Sequence, residues 1–554
     1  MRFKKILLLS TLPIIGFTIS SCGYVDEIHE IEKTTYDFVN LNKEYNVYSK
    51  SLNTYKFDNH ELIYVNINEF LNTLDGFSNY SNYSFYRIEG TPRFNITWSD
   101  SILYRITFNC EEETISYNYP ASLSNIYETQ QTNFSYGITV YDGDLSGGGE
   151  VTYSLKGLFD IHIQNDQLYL PFSIANIIFC STNYYNIYFN GDKFYGVDID
   201  LADIDQETNE LIRTSSINNT PQSSELREAN YNTVLFLLNN LYGVKKVNNV
   251  ADYDSYIPES IKEKILASDA ETYLDGYRDL IYFLDDPHTT ITSAPLNGPA
   301  NMEVGIDKTK YGERYKSLID TKNELTTSFE GKDLIQYYDN TALIHLTEFK
   351  TGSRNQIYEN GKISDNAKDY DSYYFMKYAM DEIENHSNIN NVILDLTLSP
   401  GGNVGAAYRV LGFMTNKNID IYNYQINGDI VVHQSLKLDT NLNGSYTDND
   451  AYTKYNWTIL TSNYSYSAAN TTTMYAKNLG IKQIGEKTGG GEFSILPVTL
   501  PDGTGLRMSG LIGFVSPKNG KINHIEYGVT PDLEIERNKL YDLQYLDSVV
   551  DNLY

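Results

Sequence analysis

Apolar positions along this chain change their period twice. Residues 56–202 carry short runs of Tyr, Phe, Ile and Thr broken by Asn, Asp and Gly, a pattern of short strands and tight turns. One unit occurs twice there. Phe57-Asp58-Asn59-His60-Glu61-Leu62-Ile63-Tyr64-Val65 precedes helical spacing over 67–74, and Ile163-Gln164-Asn165-Asp166-Gln167-Leu168-Tyr169-Leu170-Pro171 precedes the same over 174–179. Each reads as strand, polar turn, strand and short helix. Residues 203–224 are polar, with Thr, Ser, Asn and Pro221, and predict a linker. The period then lengthens. Tyr231, Val234, Leu235, Leu238 and Leu241 form one helical stripe, and Tyr273, Tyr277, Leu280, Ile281 and Leu284 form another. From about 335 the pattern becomes strand, loop, helix, with 392–396 and 457–461 as short apolar runs typical of buried strands. This alternation predicts an α/β layer structure.

The chain divides on these patterns into a leader at 1–21, a polar tether at 22–55 and a β-rich region at 56–202. A linker at 203–224, a helical subdomain at 225–300 and an α/β core at 301–545 follow. The leader has Arg2, Lys4 and Lys5, an apolar run over 6–19, and Ser20-Ser21-Cys22-Gly23. A basic start, a short apolar stretch and small residues read as a secretory signal. The run is shorter than the ~20 apolar residues that span a bilayer comfortably. Ser-Ser-Cys resembles a bacterial lipobox, which implies cleavage before Cys22, lipidation of its thiol and a lipid-anchored, extracytoplasmic protein at the cell membrane. The doubled β-α unit resembles the small repeated modules of bacterial surface proteins, which more often serve as spacers or binding platforms than as enzymes.

Composition narrows the partners. A formal net charge of −30 argues against nucleic acid and against direct adhesion to anionic lipid. The 50 Tyr residues read as compositional bias. Cys110 and Cys180 remain after Cys22, and an oxidising compartment permits a disulfide whose formation the sequence leaves open. The eight His residues and the Cys residues show no metal spacing, so no metal is expected.

Three segments carry chemistry. Asp395-Leu396-Thr397-Leu398-Ser399-Pro400-Gly401-Gly402-Asn403 runs from a strand through a Gly-Gly turn to a helix over 405–414. Such glycines free backbone N–H groups for an anion, although a tight turn needs glycine in any case. In Thr461-Ser462-Asn463-Tyr464-Ser465-Tyr466-Ser467-Ala468-Ala469-Asn470 a strand ends and a helix starts, with Gly480 at its end. Ser467 falls at or near the N-cap, where Ser is favoured for ordinary reasons and where a nucleophile would gain from the dipole and the Ala468 N–H. Leu284-Asp285-Asp286-Pro287-His288-Thr289-Thr290 places a His, the commonest general base, just past an amphipathic helix.

These segments, with Gly485-Glu486-Lys487-Thr488-Gly489-Gly490 and Gly528-Val529-Thr530-Pro531-Asp532, come in an order and spacing that resembles the tail-specific, or C-terminal processing, serine peptidases, including the tricorn core. The resemblance covers about 225–540 and implies a crotonase/ClpP-like α/β core with a small helical subdomain, acting on polypeptide. It implies Ser467 as nucleophile and the N–H groups of Gly401 or Gly402 and Ala468 as oxyanion donors. Gly491 stands where the processing branch keeps a Lys base. Lys487 stands where the family often has Pro. His288 matches the His base of the tricorn-like branch, and Glu526 is the nearest match to its supporting Glu, one residue closer to Gly528 than expected. Asn470 replaces the usual Glu after Ser-Ala-Ala. Only about 50 residues separate His288 from the strand near Leu343, too few for a PDZ domain of roughly 80–100 residues.

The implied chemistry is acyl transfer, which requires no metal or organic cofactor. His288 takes the Ser467 proton, Ser467 attacks a peptide carbonyl, and water releases the acyl-enzyme. An inactive family member acting as a surface binding lipoprotein is the alternative raised by Asn470 and Glu526. An esterase on the same core and a solute-binding lipoprotein are weaker: no G-x-S-x-G elbow occurs, and solute binding leaves the ordered motifs unexplained.

Overall fold

The computed structural model of this chain describes residue 24 and residues 27–99, 103–518 and 521–554. Cys22 and the leader lie outside the described residues. The repeated sequence unit is a real structural unit. Asp58 and Asn59 in the first copy, and Asn165 and Asp166 in the second, all take positive φ, the conformation Asn and Asp tolerate best after Gly. The helices that follow are Ile67–Thr73 and Phe172–Phe179. The two copies meet in one seven-stranded sheet, where Gln167–Pro171 pairs antiparallel with Tyr64–Asn66.

Two expectations about connections are corrected. The supposed tether holds Ile31–Asn40, which pairs with Ser51–Phe57 on one side and Lys193–Asp198 on the other in the same sheet. Its β-branched and aromatic residues favour a strand, and polar neighbours masked the signal. The supposed linker holds the helix Gln206–Arg213, capped by Asp205. Arg213 is buried there, and its guanidinium donates to the carbonyls of Ala300 and Ala294, both at 2.8 Å.

Five parallel strands form the central α/β layer: Thr341–His345, Asn391–Asp395, Asn456–Thr461, Lys482–Gly485 and Leu533–Glu534. Ile335–Tyr338 adds an antiparallel edge. Residues alternate between two cores. Ile344, Val392, Leu394 and Ile459 pack with the helices Ser372–Glu384, Val404–Gly412 and Ala468–Leu479. Leu343, Ile393 and Leu460 pack with Leu325 of Glu313–Phe329 and with Leu546 and Val550 of Leu543–Asp551. Burial on both faces explains why 392–396 reads as an unbroken apolar run.

A second, antiparallel sheet crosses the whole sequence. Ile138–Ser146 from the N-terminal region pairs with Ile430–Leu438, which continues through Ile419–Gln425 to Gly505–Phe514. One core joins Phe38, Tyr117 and Tyr153 of the N-terminal region to Leu235 and Tyr277 of the helices and to Tyr424 and Phe493. Tyr serves here as a core residue. Tyr117, Tyr153, Tyr185, Tyr242, Tyr253, Tyr273 and Tyr277 are among the largest fully buried side chains, and the Tyr117 and Tyr153 hydroxyls meet at 2.8 Å. The Tyr abundance is therefore more than compositional bias. Cys180 is buried as a thiol, so the disulfide with Cys110 that the sequence left open is not formed.

The shared strand and core make the N-terminal region one body with the α/β core. A fragment of residues 203–554 should unfold at a lower urea midpoint than the mature chain, or be recovered only as aggregate. A soluble fragment with the parent's midpoint would show the region to be an independent domain.

Candidate active site

The turn after Asn391–Asp395 is fixed from below. Asp395 Oδ1 accepts the Thr397 N–H at 2.8 Å, and the Leu396 N–H donates to Leu460 O at 2.9 Å. The turn then packs between two segments. Phe349 N donates to Gly401 O at 2.9 Å and Asn403 N to Phe349 O at 2.8 Å on one side, while Tyr466 N donates to Ser399 O at 3.1 Å on the other. Gly401 and Gly402 have φ of +107° and +127°. A Cβ on Gly402 would lie 2.2 Å from Phe349 O, and one on Gly401 would lie 2.7 Å from both Ser467 Cβ and Ala468 N. Both positions therefore require glycine. Asn403 then caps the next helix through the Ala406 N–H at 2.9 Å.

Ser467 stands at the N-cap position of Ala468–Leu479, but its hydroxyl makes no capping bond. Its φ of 54° and ψ of −121° are rare for a residue with a side chain, at a cost of about 1–3 kcal/mol. The Ser467 N–H donating to Gly490 O at 2.8 Å helps hold it. Ser467 is half-buried, whereas Ser465 is fully buried and donates to Leu396 O at 2.8 Å. Among the described residues, the N–H groups of Gly401, Gly402 and Ala468 donate to no acceptor. Open backbone donors are thus gathered beside a strained, accessible hydroxyl.

Asn470 has a constructive role. Its amide donates to Ile525 O at 3.0 Å and accepts from Thr488 Oγ1 at 2.7 Å, tying the Ser467 helix to two neighbouring loops. Lys487 is exposed on the surface. At Gly491 a Cβ would lie 2.6 Å from Cζ of the Tyr466 ring, so that ring fills the space a longer side chain there would need.

His288 is placed by the two Asp residues before it. Asp285, at φ 45°, ends the helix Ala270–Leu284, and its carboxylate accepts the Arg314 and Tyr315 N–H groups at 3.0 and 3.2 Å. Asp286 is buried and accepts the His288 N–H at 3.1 Å, the Thr289 hydroxyl at 2.7 Å and the Tyr242 hydroxyl at 3.1 Å. The His288 ring meets the Tyr466 ring edge-on, with centroids 4.9 Å apart. Its Nδ1 is 3.4 Å from Ser509 Oγ, and its buried Nε2 has no partner. No hydrogen bond joins His288 to Ser467; the ring packs against the residue just before it. Burial, offset in part by Asp286 and reinforced by Arg314, pushes the imidazole down to about 4.

Glu526 is fully buried and faces Arg314, not His288. Its carboxylate lies 2.6 Å from the Arg314 guanidinium and accepts the Glu492 N–H at 2.8 Å. Burial raises its carboxyl to about 7; Arg314 opposes the rise and Asp286 adds to it. Arg314 also sits 5.9 Å from the Tyr466 ring centroid and 5.1 Å from that of Tyr527. Sequence reasoning assigned no role to Arg314, Tyr466 or Ser509. Arg314 and Ser509 lie at no motif position; Tyr466 does, just before Ser467, and so does Asp286, two residues before His288.

No curated protein matches the chain. A lipoprotein from Streptococcus agalactiae is 16% identical, with a TM-score of 0.37 over 60% of this chain and 98% of its own. The photosystem II D1 C-terminal processing protease is 16% identical, with a TM-score of 0.26 over 36% of this chain and 42% of its own. The tricorn protease is 12% identical, with a TM-score of 0.33 over 85% of this chain and 46% of its own. Residues 340–535, the stretch that carries Gly401, Gly402 and Ser467, match the model of peptidase family S41.

Proposed function

We propose that this chain is a serine peptidase acting on polypeptide outside the cytoplasm, with Ser467 as nucleophile. The observation that carries the reading is the cluster of unpartnered N–H groups of Gly401, Gly402 and Ala468 around the strained Ser467. Such donors hold the oxyanion of a tetrahedral intermediate without reorganising. The layered core is read as crotonase/ClpP-like. His288 is assigned as base: its unpartnered Nε2 takes the Ser467 proton as an acyl-enzyme forms, and water then releases the acyl group. Hydrogen bonds of this kind are often long in a ligand-free site and tighten with substrate. Glu526 is not assigned to the base, because Arg314 holds it. Anchoring through a lipid on Cys22 at the cell membrane completes the reading.

Ser467→Ala should abolish labelling by a fluorophosphonate and lower peptide turnover about a thousandfold or more, as should His288→Ala once folding is checked. Lys487→Ala should stay near the parent. A dead Lys487→Ala beside an active His288→Ala would reverse the choice of base. With His288 held near 4, the acid limb of kcat/KM should lie below the ordinary imidazole value of about 6.5. Cys22→Ala should release the protein from membranes or leave its leader uncleaved; processed, membrane-bound Cys22→Ala protein would remove the anchor.

Glu526 and His288 make opposite contributions to stability. A carboxyl raised to about 7 stabilises fully below its unfolded value of 4.5, and this is lost as pH rises through 7. An imidazole lowered to about 4 stabilises fully above 6.5, and this is lost as pH falls toward 4. Glu526→Gln should therefore gain on the parent between pH 5 and pH 8 by up to about 3 kcal/mol, read from urea midpoints. A constant difference across that range would give Glu526 ordinary acidity.

A further inference from the structure

We propose that Ser509, backed by Asp286, orients His288 and fixes its tautomer, in the role that sequence alone offered to Glu526. This rests on the Ser467–His288 reading above. Ser509 lies on the strand Gly505–Phe514, fully buried, about 220 residues after His288 in the chain but 3.4 Å from its Nδ1. Burial would raise the Asp286 carboxyl, and the Ser509 hydroxyl is among the groups that hold it below its ordinary range. Among the described residues it reaches no other side chain.

The direction of this relay follows from what each group can give. Asp286 is an acceptor in a buried site, already taking the His288 N–H and the Thr289 and Tyr242 hydroxyls. The Ser509 hydrogen is therefore drawn to Asp286, which leaves Ser509 Oγ as an acceptor for a hydrogen on Nδ1. A hydrogen on Nδ1 of the neutral ring leaves Nε2 with its lone pair, and Nε2 is the nitrogen with no partner. The opposite arrangement, with Ser509 donating to Nδ1, would put the hydrogen on Nε2 and disable it as a base. In the acylation step the Ser467 O–H bond breaks and the proton goes to Nε2 as the Ser467 oxygen bonds the carbonyl carbon. Nδ1 keeps its hydrogen and Ser509 stays neutral. The proton on Nε2 then goes to the leaving amine as its bond to carbon breaks.

Other groups around the ring are less suited. Arg314 is a cation, Tyr466 presents its ring, and the Glu526 carboxylate is taken by Arg314 and the Glu492 N–H. Ser509 is therefore a positioning residue, acting through His288.

The test is steady-state peptide hydrolysis by the full mature chain across pH, for the parent, Ser509→Ala, the near-isosteric Ser509→Cys and Ser509→Thr. Ser509→Ala and Ser509→Cys should lose about 10–100-fold in kcat, the usual cost of removing an orienting partner from a functional His. KM should hold within about twofold, and the acid limb should move to lower pH because the imidazolium loses an acceptor. Ser509→Thr should keep most of the activity. If Ser509→Ala fails to fold, the Cys and Thr pair decides. Parent-like kcat and pH profile in Ser509→Ala or Ser509→Cys would overturn this proposal while leaving Ser467 and His288 in place. Full activity in either Ser467→Ala or His288→Ala would overturn the underlying reading, and this proposal with it.

Discussion

The site depends on one close approach, between the Gly401–Gly402 turn and the first residues of the Ser467 helix. There is no space there for a methyl group on Gly401, and the Phe349 backbone on the other side of the turn leaves none on Gly402. Three consequences share this cause. The glycines take φ values that other residues resist, Ser467 is pressed into a rare conformation, and neighbouring N–H groups are left without acceptors. The costs are borne by the parallel strands beneath, whose residues are buried on both faces and leave the turn no freedom to relax. Bonds from Asp395, Phe349, Tyr466 and Gly490 hold the turn and the helix start from four directions.

Beside this backbone assembly lies a buried electrostatic one. Asp286 and Glu526 are both removed from water, and Arg314 stands between their fields. Burial alone would raise Asp286, but His288, Arg314 and the hydroxyls of Thr289 and Ser509 outweigh it and hold the carboxyl below its ordinary range. Glu526 has fewer such partners and goes the other way. Two acids within one buried cluster thus have opposite protonation preferences.

Much of the core was legible because burial on both faces and glycine requirements leave strong marks. The apolar runs at 392–396 and 457–461, the helix end at Gly480 and the doubled β-α unit each follow from local chemistry that the structure reproduces. What was hidden is non-local. Ile31–Asn40 is a strand because sheet neighbours from distant sequence complete it, and 203–224 is ordered because Arg213 finds carbonyls near residue 300. Asn470 looked like a damaged motif but makes two good hydrogen bonds. Ser509 in the middle of a strand looked like any small strand residue. Its meaning comes only from which loop packs against it.

The strand Ile138–Ser146 has a consequence for how this protein is made. Its partner Ile430–Leu438 lies about 290 residues downstream, so at about 5–20 residues per second the strand waits roughly 15–60 s before its neighbour is synthesised. During that interval its edge is open to any other extended chain. Asp142 and Asp144 interrupt the apolar side chains Val140, Tyr141 and Leu145, and remain exposed in the finished sheet. Two carboxylates in the middle of a waiting edge repel a second copy of the same nascent strand, so acidity that makes only surface contacts in the folded molecule, such as Asp144 to His433, protects the chain before it has folded.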